Sequence, residues 1–398
     1  MFQQSSVSCS PRILSRIDEV RAADWNALDG ARAPFLRHEF LAALEHHQCV
    51  GATSGWIPSH LTLCDARGTL LAAMPMYRKL HSWGEFVFDF AWAQAHTRSG
   101  LSYYPKLIAC VPFTPATGPR LLTAAGADGP ALRRELMRQA LELASDEGLS
   151  SFHVLFPEHE QANELVSQGL LLRRDCQFHW CNRGYRDFEQ FLAGFTAEKR
   201  KKAHRERRRV SEAGITFTTL AGGDIDRRLW QRIYGFHTDT FLRHGHTPYL
   251  SLGFFLEIAE RLADAVVVQL AWASSRAIAA AICFRGAETL YGRYWGTSVD
   301  HHSLHFDLCY YQGIDYCIRH GLQRFEPGTQ GEHKVSRGFE PEFTSSVHWI
   351  ADERFAHAIR HYLDRERQAI AEYAADVRAH VPYKEPSPLA DRLVMSAQ

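Results

Sequence analysis

Between Glu326 and Gly338 the chain reads Glu-Pro-Gly-Thr-Gln-Gly-Glu-His-Lys-Val-Ser-Arg-Gly. Glu326, Glu332, His333 and Lys334 supply carboxylate, imidazole and amine within one short segment, with Gln330 and Arg337 as polar neighbours. Groups of opposite charge gathered at a strand end shift one another's proton affinities, the usual preparation for acid–base work. Gly328, Gly331 and Gly338 permit tight turns and close backbone approach. We therefore expect Glu326, Glu332, His333 and Lys334 to act as catalytic groups, and Gln330 and Arg337 to bind substrate. The competing reading is a structural loop held by salt bridges.

A second group precedes it. Arg293-Tyr294-Trp295 ends an aromatic strand, and a charged guanidinium there is costly unless paired or ligand-bound. Strand alternation puts Arg293 and Trp295 on one face and Tyr294 on the other. His305, Asp307 and Tyr310 follow at the start of a helix. His305 joins the catalytic candidates; Arg293, Tyr294, Trp295, Asp307 and Tyr310 join the substrate-binding ones. A third group is a basic run from Lys199 to Arg209, in which Lys199, Arg200, Lys202, Arg205, Arg208 and Arg209 are expected to bind phosphate. On a helix these charges repel one another, which phosphate would relieve; a solvated helix face is the alternative. In the first half, Pro112, Thr114, Thr117 and Arg120 form a shaped loop expected to wall a cleft.

The elements that must position these groups occur twice. Val166-Ser-Gln-Gly169 and His179-Trp180 recur as Val335-Ser-Arg-Gly338 and His348-Trp349, both offset by 169 (335 − 166 and 349 − 180). Upstream, Gly148-Leu-Ser-Ser-Phe152 resembles Gly321-Leu-Gln-Arg-Phe325, and the strand–turn–strand from His60 to Met74 resembles Val268 to Ile282. A repeat this long is a duplicated domain rather than a solenoid array. At the 169 offset, Pro157, Leu165 and Gln168 stand where the second copy has Glu326, Lys334 and Arg337, so the first copy reads as chemically degenerate.

Pattern and punctuation give the local elements. Hairpins are expected at His60–Tyr77, an aromatic strand over Trp83–Trp92, and helices over Leu132–Glu147, from Thr196 as N-cap to Ala213, over Trp230–Arg243 and over Asp307–His320. Three adjacent strands span Val266–Trp295, and a charged helix runs from Arg354 to His380. Each half is then a mixed α/β unit. We expect domains at 1–184 and 185–380 and a loose tail at 381–398. The 398 residues carry 45 Lys+Arg against 45 Asp+Glu, so an anion site must come from local clustering. This balance and the lack of a reading helix argue against duplex DNA. Nine Cys without a CxxC pair suggest reduced thiols in a cytoplasmic protein. No HExxH-type spacing is present, so no metal is expected, and no apolar run is long enough for a membrane span.

The order of strands, helix and strand resembles the Gcn5-related acyltransferase (GNAT) fold, here in tandem. Glu198–Val210, Leu290–Gly296, Leu304–Gln312, Phe325–Gly338 and Cys110-Val-Pro-Phe-Thr-Pro-Ala-Thr-Gly-Pro-Arg120 resemble the FemAB-like N-acyltransferases of bacteria, relatives of the Fem-type peptidoglycan aminoacyltransferases. The resemblance implies two GNAT-like domains with a C-terminal helix. It implies transfer of an acyl or aminoacyl group to an amine, on a small molecule, a peptide or a cell-wall precursor. It also implies acyl-CoA or aminoacyl-tRNA as cosubstrate, with no tightly bound cofactor, in a monomer or homodimer. The Gln/Arg-x-x-Gly-x-Gly/Ala pyrophosphate loop is missing, which argues against acetyl-CoA as donor. A non-catalytic module that binds a phosphate-bearing precursor or RNA is the alternative.

Overall fold

The computed structural model of the chain describes residues 9–329 and 331–385. It divides into two compact units, Met1–Arg174 with Thr344–Arg367, and Asp175–Phe343 with Gln368–Gln398. The sequence suggested a division at 184/185 between contiguous halves. Instead the chain leaves the first unit inside the strand Leu171–Cys181 and returns to it inside the strand Glu340–Ile350.

Strand pairing gives the reason. In the second unit, Ile215–Ala221, Val266–Ala273, Arg276–Arg285 and Thr289–Thr297 form an antiparallel meander. Arg324–Glu326 then pairs parallel to Thr289–Tyr291, with Phe325 opposite Leu290. Its other edge is taken by Trp180 and Cys181, with Trp180 opposite Phe325. In the first unit, Lys106–Ala109 pairs parallel to Ser151–Leu155, with Phe152 opposite Leu107. There the far edge is taken by Ser346–Ile350, with Trp349 opposite Phe152. The two His-Trp strands therefore fill equivalent places, each in the unit whose other strands come from the opposite half of the sequence. Phe152 and Phe325 are both fully buried, and burying such a ring is worth about 1.5–3 kcal/mol.

Local chemistry explains the repeated elements. In the hairpin His60–Cys64/Leu70–Met74, Asp65 Oδ1 accepts from the amides of Arg67 and Thr69, both at 2.8 Å. The helix Gly129–Asp146 starts where Asp128 accepts from the Ala131 amide at 3.1 Å. It buries Leu132, Leu136, Met137, Ala140 and Ala144, one face at helical spacing. Both Val-Ser-x-Gly segments end a helical turn on a left-handed glycine, at φ 94° for Gly169 and 95° for Gly338.

Three local expectations change. Trp83–Trp92 is a loop followed by the helix Phe90–Arg98, because Glu85 and Asp89 turn inward to a buried lysine and no strand partner is taken. Thr196 makes no side-chain cap at the helix Ala197–Glu212; its amide donates to Pro382 O at 2.8 Å. That contact also docks part of the expected loose tail. The Tyr383 hydroxyl donates to Gly338 O at 2.7 Å, and the Lys384 amide to Gly194 O at 2.9 Å. The rest of the tail, 386–398, lies outside the described residues.

Two glycines test how closely the second unit is packed. A Cβ on Gly296 would lie 2.1 Å from Phe236 O of the helix Arg227–Arg243, whereas one on Gly235 in that helix meets nothing within 4 Å. Gly296→Ala should lower stability by about 1–3 kcal/mol through overpacking. Gly235→Ala should raise it by about 0.5–1 kcal/mol through helix propensity. Urea denaturation of the two variants checks both signs.

Candidate functional site

In the second unit the parallel ladder stops at Tyr291 and Glu326. Beyond it, Thr289–Thr297 continues toward Trp295 while the other strand turns away at Pro327. The residues around this opening are those with chemistry. Glu326 is 5% exposed, and the charge of Arg293 acts on both Glu326 and Lys334. Gly328 and Gly331, at φ 97° and 106°, fold the turn back. Lys334 thereby donates to Gly328 O at 2.6 Å from a position only 2% exposed. Burial, aided by Arg293, lowers its pKa to about 7, so a neutral amine is accessible near neutrality.

The helical segment opposite carries an irregularity. Leu304–Phe306 is a single α-turn, Asp307–Tyr311 is π-helical, and Gln312–Arg319 is α-helical, where one continuous helix was expected. Two consecutive tyrosines, Tyr310 and Tyr311, are buried in this π-helical segment. The Tyr310 hydroxyl lies 2.8 Å from His333 Nε2, and the Tyr311 hydroxyl donates to Glu206 Oε2 at 2.7 Å. His305 packs edge-on to Trp295 and Tyr310, with ring centroids at 4.9 and 5.2 Å. Burial holds its imidazole down at about 4, so it is neutral at pH 7. Burial also lowers His333 and raises Asp307 to about 6, where Gln312 donates to Asp307 at 3.0 Å and Arg207 lies 3.9 Å away.

Arg293, Trp295, His305, Tyr310, Glu326, His333, Lys334 and Arg337 thus belong to one region. Other candidates do not. Glu332 is exposed and accepts from the Tyr373 hydroxyl of the C-terminal helix at 2.8 Å, which takes it out of the catalytic set. Tyr294 is half-buried and packs with its ring 5.1 Å from His237 and 5.7 Å from Phe255, on the helices beside the sheet, while the Arg293 guanidinium lies 5.6 Å over it. Gln330 lies outside the described residues. Arg337 is 3% exposed and paired with Glu206, at 2.6 Å from Nη2 to Oε1 and 3.1 Å from Nε to Oε2. Its guanidinium also stacks 3.4 Å over the Phe306 ring. With its donors so engaged, Arg337 is a positioning residue rather than a substrate ligand. In the first unit Arg120 donates to Ala116 O, Gly118 O and Leu155 O, which makes it a backbone strut.

The basic helix Ala197–Glu212 has two sides. Ala203, Glu206 and Val210 are buried. Lys202 leans toward the site, 3.3 Å from Ser336 Oγ, with its pKa lowered by burial and by Arg337. Lys199 and Arg200 are half-buried, while Arg205, Arg208 and Arg209 are exposed. Arg208 lies 3.6 Å from Glu212, and Arg209 3.5 Å from His302. Beside the end of Thr289–Thr297 a shallow cavity of about 480 Å³ is lined by Asp239, Arg243, Thr297 and Asp300 among others. Among the described residues there is no cluster suited to a metal and no helix long and apolar enough to cross a membrane.

Two features escaped the sequence reading. Glu206 is not among the candidates that the sequence offers, although Ala203, Glu206 and Val210 share the spacing of a buried stripe. The first copy is also not chemically bland. Strand register places His153, not Pro157, at the position of Glu326, because the helix His159–Ser167 makes this loop four residues longer than its counterpart (169 − 152 against 338 − 325). His153 is buried between the Tyr103 hydroxyl at 3.2 Å, Ser151 Oγ at 2.9 Å and His348 Nδ1 at 2.6 Å.

Residues 16–385 match the model of the FemAB-like family, described as peptidoglycan biosynthesis/recognition. The C-terminal domain of a putative lysylphosphatidylglycerol synthetase from Agrobacterium fabrum is similar in structure, with a TM-score of 0.51 at 10% identity, covering 87% of this chain and 96% of that one. FemX is similar with a TM-score of 0.50 at 10% identity, covering 88% and 100%. No curated protein matches the sequence.

The Glu206–Arg337 pair yields a stability prediction. Arg337→Met leaves a buried carboxylate without its partner and should cost about 3–5 kcal/mol. Adding Glu206→Met should restore most of that loss. Chemical denaturation of the single and double variants measures the coupling; a costless single variant would contradict a buried pair.

Proposed function

Since the chain belongs to the FemAB-like family, we propose that it transfers an acyl or aminoacyl group from a CoA- or tRNA-type donor to an amine of a peptidoglycan precursor or related peptide. One observation carries this reading. The ladder opens at Glu326, and a buried carboxylate, a lysine with its pKa lowered to about 7 and a tyrosine–imidazole pair surround the opening. Acyl transfer from a thioester or ester needs a neutral amine nucleophile, a group to receive its proton, and donors for the tetrahedral oxyanion. Glu326 takes the amine proton as the C–N bond forms, and the donor's C–S or C–O bond then breaks, releasing the CoA thiol or the tRNA hydroxyl with a proton in its place. Lys334 and the Tyr310 hydroxyl serve as donors for the oxyanion, and the neutral rings of His305 and Trp295 exclude water. The exposed arginines of the basic helix, Arg205, Arg208 and Arg209, attract the donor's phosphates, while Lys199, Arg200 and Lys202 lead toward the opening.

Native mass spectrometry of the freshly purified protein identifies a retained CoA or tRNA, and single-turnover transfer with that donor then reads the site. Glu326→Gln and Lys334→Met should each reduce the rate by a factor of about 10² or more. Melting should remain cooperative. Variants that turn over normally would remove these two residues from the chemistry.

The amine of Lys334 adds a pH signature. Its folded pKa of about 7 lies below the unfolded value of about 10.4. The unfolded chain therefore binds the extra proton between these limits, and stability rises as pH climbs from about 7 toward 10. Lys334→Met should flatten this rise in thermal melts across that window. Separately, Arg205→Glu with Arg208→Glu should weaken donor binding at low salt without moving the melting temperature, and added salt should weaken the wild type likewise.

A further inference from the structure

The first unit carries the loop from Leu80 to Phe90. Its sequence, Leu-His-Ser-Trp-Gly-Glu-Phe-Val-Phe-Asp-Phe, contains two carboxylates and no lysine or arginine. Both carboxylates point inward. Lys106, fully buried at the start of its strand, donates to Glu85 at 2.7 Å, Asp89 at 2.5 Å and Ser82 at 2.8 Å. The Tyr103 hydroxyl donates to Asp89 at 2.6 Å. Lys79 is equally buried, 3.7 Å over the Trp56 ring and 3.2 Å from Trp83 O. His81 is held by Ser54 O at 2.9 Å and kept neutral by burial and by Lys79. The guanidinium that reaches the loop from outside, Arg173 at 2.9 Å from Phe88 O, is itself neutralised by Glu366 at 2.7 Å.

The outward face is the opposite in character. Trp83 is 58% exposed, Phe88 58%, Phe90 39% and Leu80 45%. The rings form one cluster, with Trp83 5.4 Å and Phe88 6.3 Å from Phe90. Ordinary exposed loops do the reverse and turn charge toward water. Burying the four ionisable groups Lys79, Glu85, Asp89 and Lys106 beneath a loop is costly, and its result is a tip that presents aromatic rings with these charges withdrawn.

We propose that the loop Leu80–Phe90 is an interfacial anchor that inserts its aromatic tip into a lipid bilayer. Aromatic rings partition to the headgroup boundary of membranes, and a few suffice for reversible attachment. Charged groups at the tip would oppose insertion, and here they are paired beneath it. The area suits this occupant better than a second copy of the chain. Three rings of about 200 Å² each, roughly half exposed, offer about 300 Å², against about 800 Å² per partner in a stable interface. The proposal is independent of the transfer reaction.

The test uses the full chain and vesicles of phosphatidylcholine, which carry no net charge and so exclude attraction to the basic helix. Co-sedimentation should recover the protein with the vesicles, equally at low and high salt. Trp83→Ser/Phe88→Ser/Phe90→Ser should reduce the partition coefficient by about tenfold or more while the melting temperature holds. Should the triple variant fail to fold, Trp83→Ser alone should still lower partitioning measurably. A wild type that stays in the supernatant overturns the proposal, and so does a triple variant that sediments as well as the wild type. A wild-type dimer that the triple variant dissociates, without any binding to vesicles, assigns the loop to a second copy and overturns it equally.

Discussion

The buried pair of Glu206 and Arg337 is the contact on which the candidate site depends. It joins the basic helix to the turn that follows the strand Arg324–Glu326. The same carboxylate takes the Tyr311 hydroxyl, and the same guanidinium covers Phe306 and donates to His333 O at 2.5 Å. Three elements are therefore referenced to one ion pair. A side chain placed by such a pair has little freedom, because moving either partner leaves an uncompensated charge in a low-dielectric surrounding. The positions of His333 and Lys334 follow from it, since both lie on the short helical turn that Arg337 closes.

The π-helical segment belongs to the same arrangement. Consecutive helical residues point about 100° apart, and here Tyr310 and Tyr311 reach two different partners on neighbouring elements. Tyr310 pairs with His333 and Tyr311 donates to Glu206. The glycines of the loop act in the complementary direction. At φ 97° and 106°, Gly328 and Gly331 let the chain reverse tightly enough for Lys334 to reach back to Gly328 O.

Both units bury ionisable groups, for different ends. In the second unit Lys334 is buried beside Arg293, with a carbonyl as its acceptor, and its proton is loosened. In the first unit Lys106 is buried against two carboxylates, which hold its proton more firmly than in water. A lysine of the first kind is suited to giving and taking protons. One of the second kind is suited to fixing a loop. Residue type alone does not separate the two; the partner does.

The repeat, the hairpins, the helix ends at left-handed glycines and the aromatic meander were legible in the chain, because each rests on spacing and turn chemistry within a few residues. So was the gathering of Glu326, His333, Lys334, His305 and Tyr310, since these sit close together in sequence on elements that must meet around a strand end. The exchange of the two His-Trp strands was not legible. It turns on which edge Trp180 and Trp349 choose, Phe325 or Phe152, and those edges are chemically alike. Glu332, Tyr294 and Arg337 were drawn into the site by their neighbours in sequence. Tertiary structure gave them Tyr373, the aromatic packing of His237 and Phe255, and Glu206 instead. Periodicity determines which residues share a face. Only the folded chain decides which distant group faces them, and for a buried charge that partner settles its role.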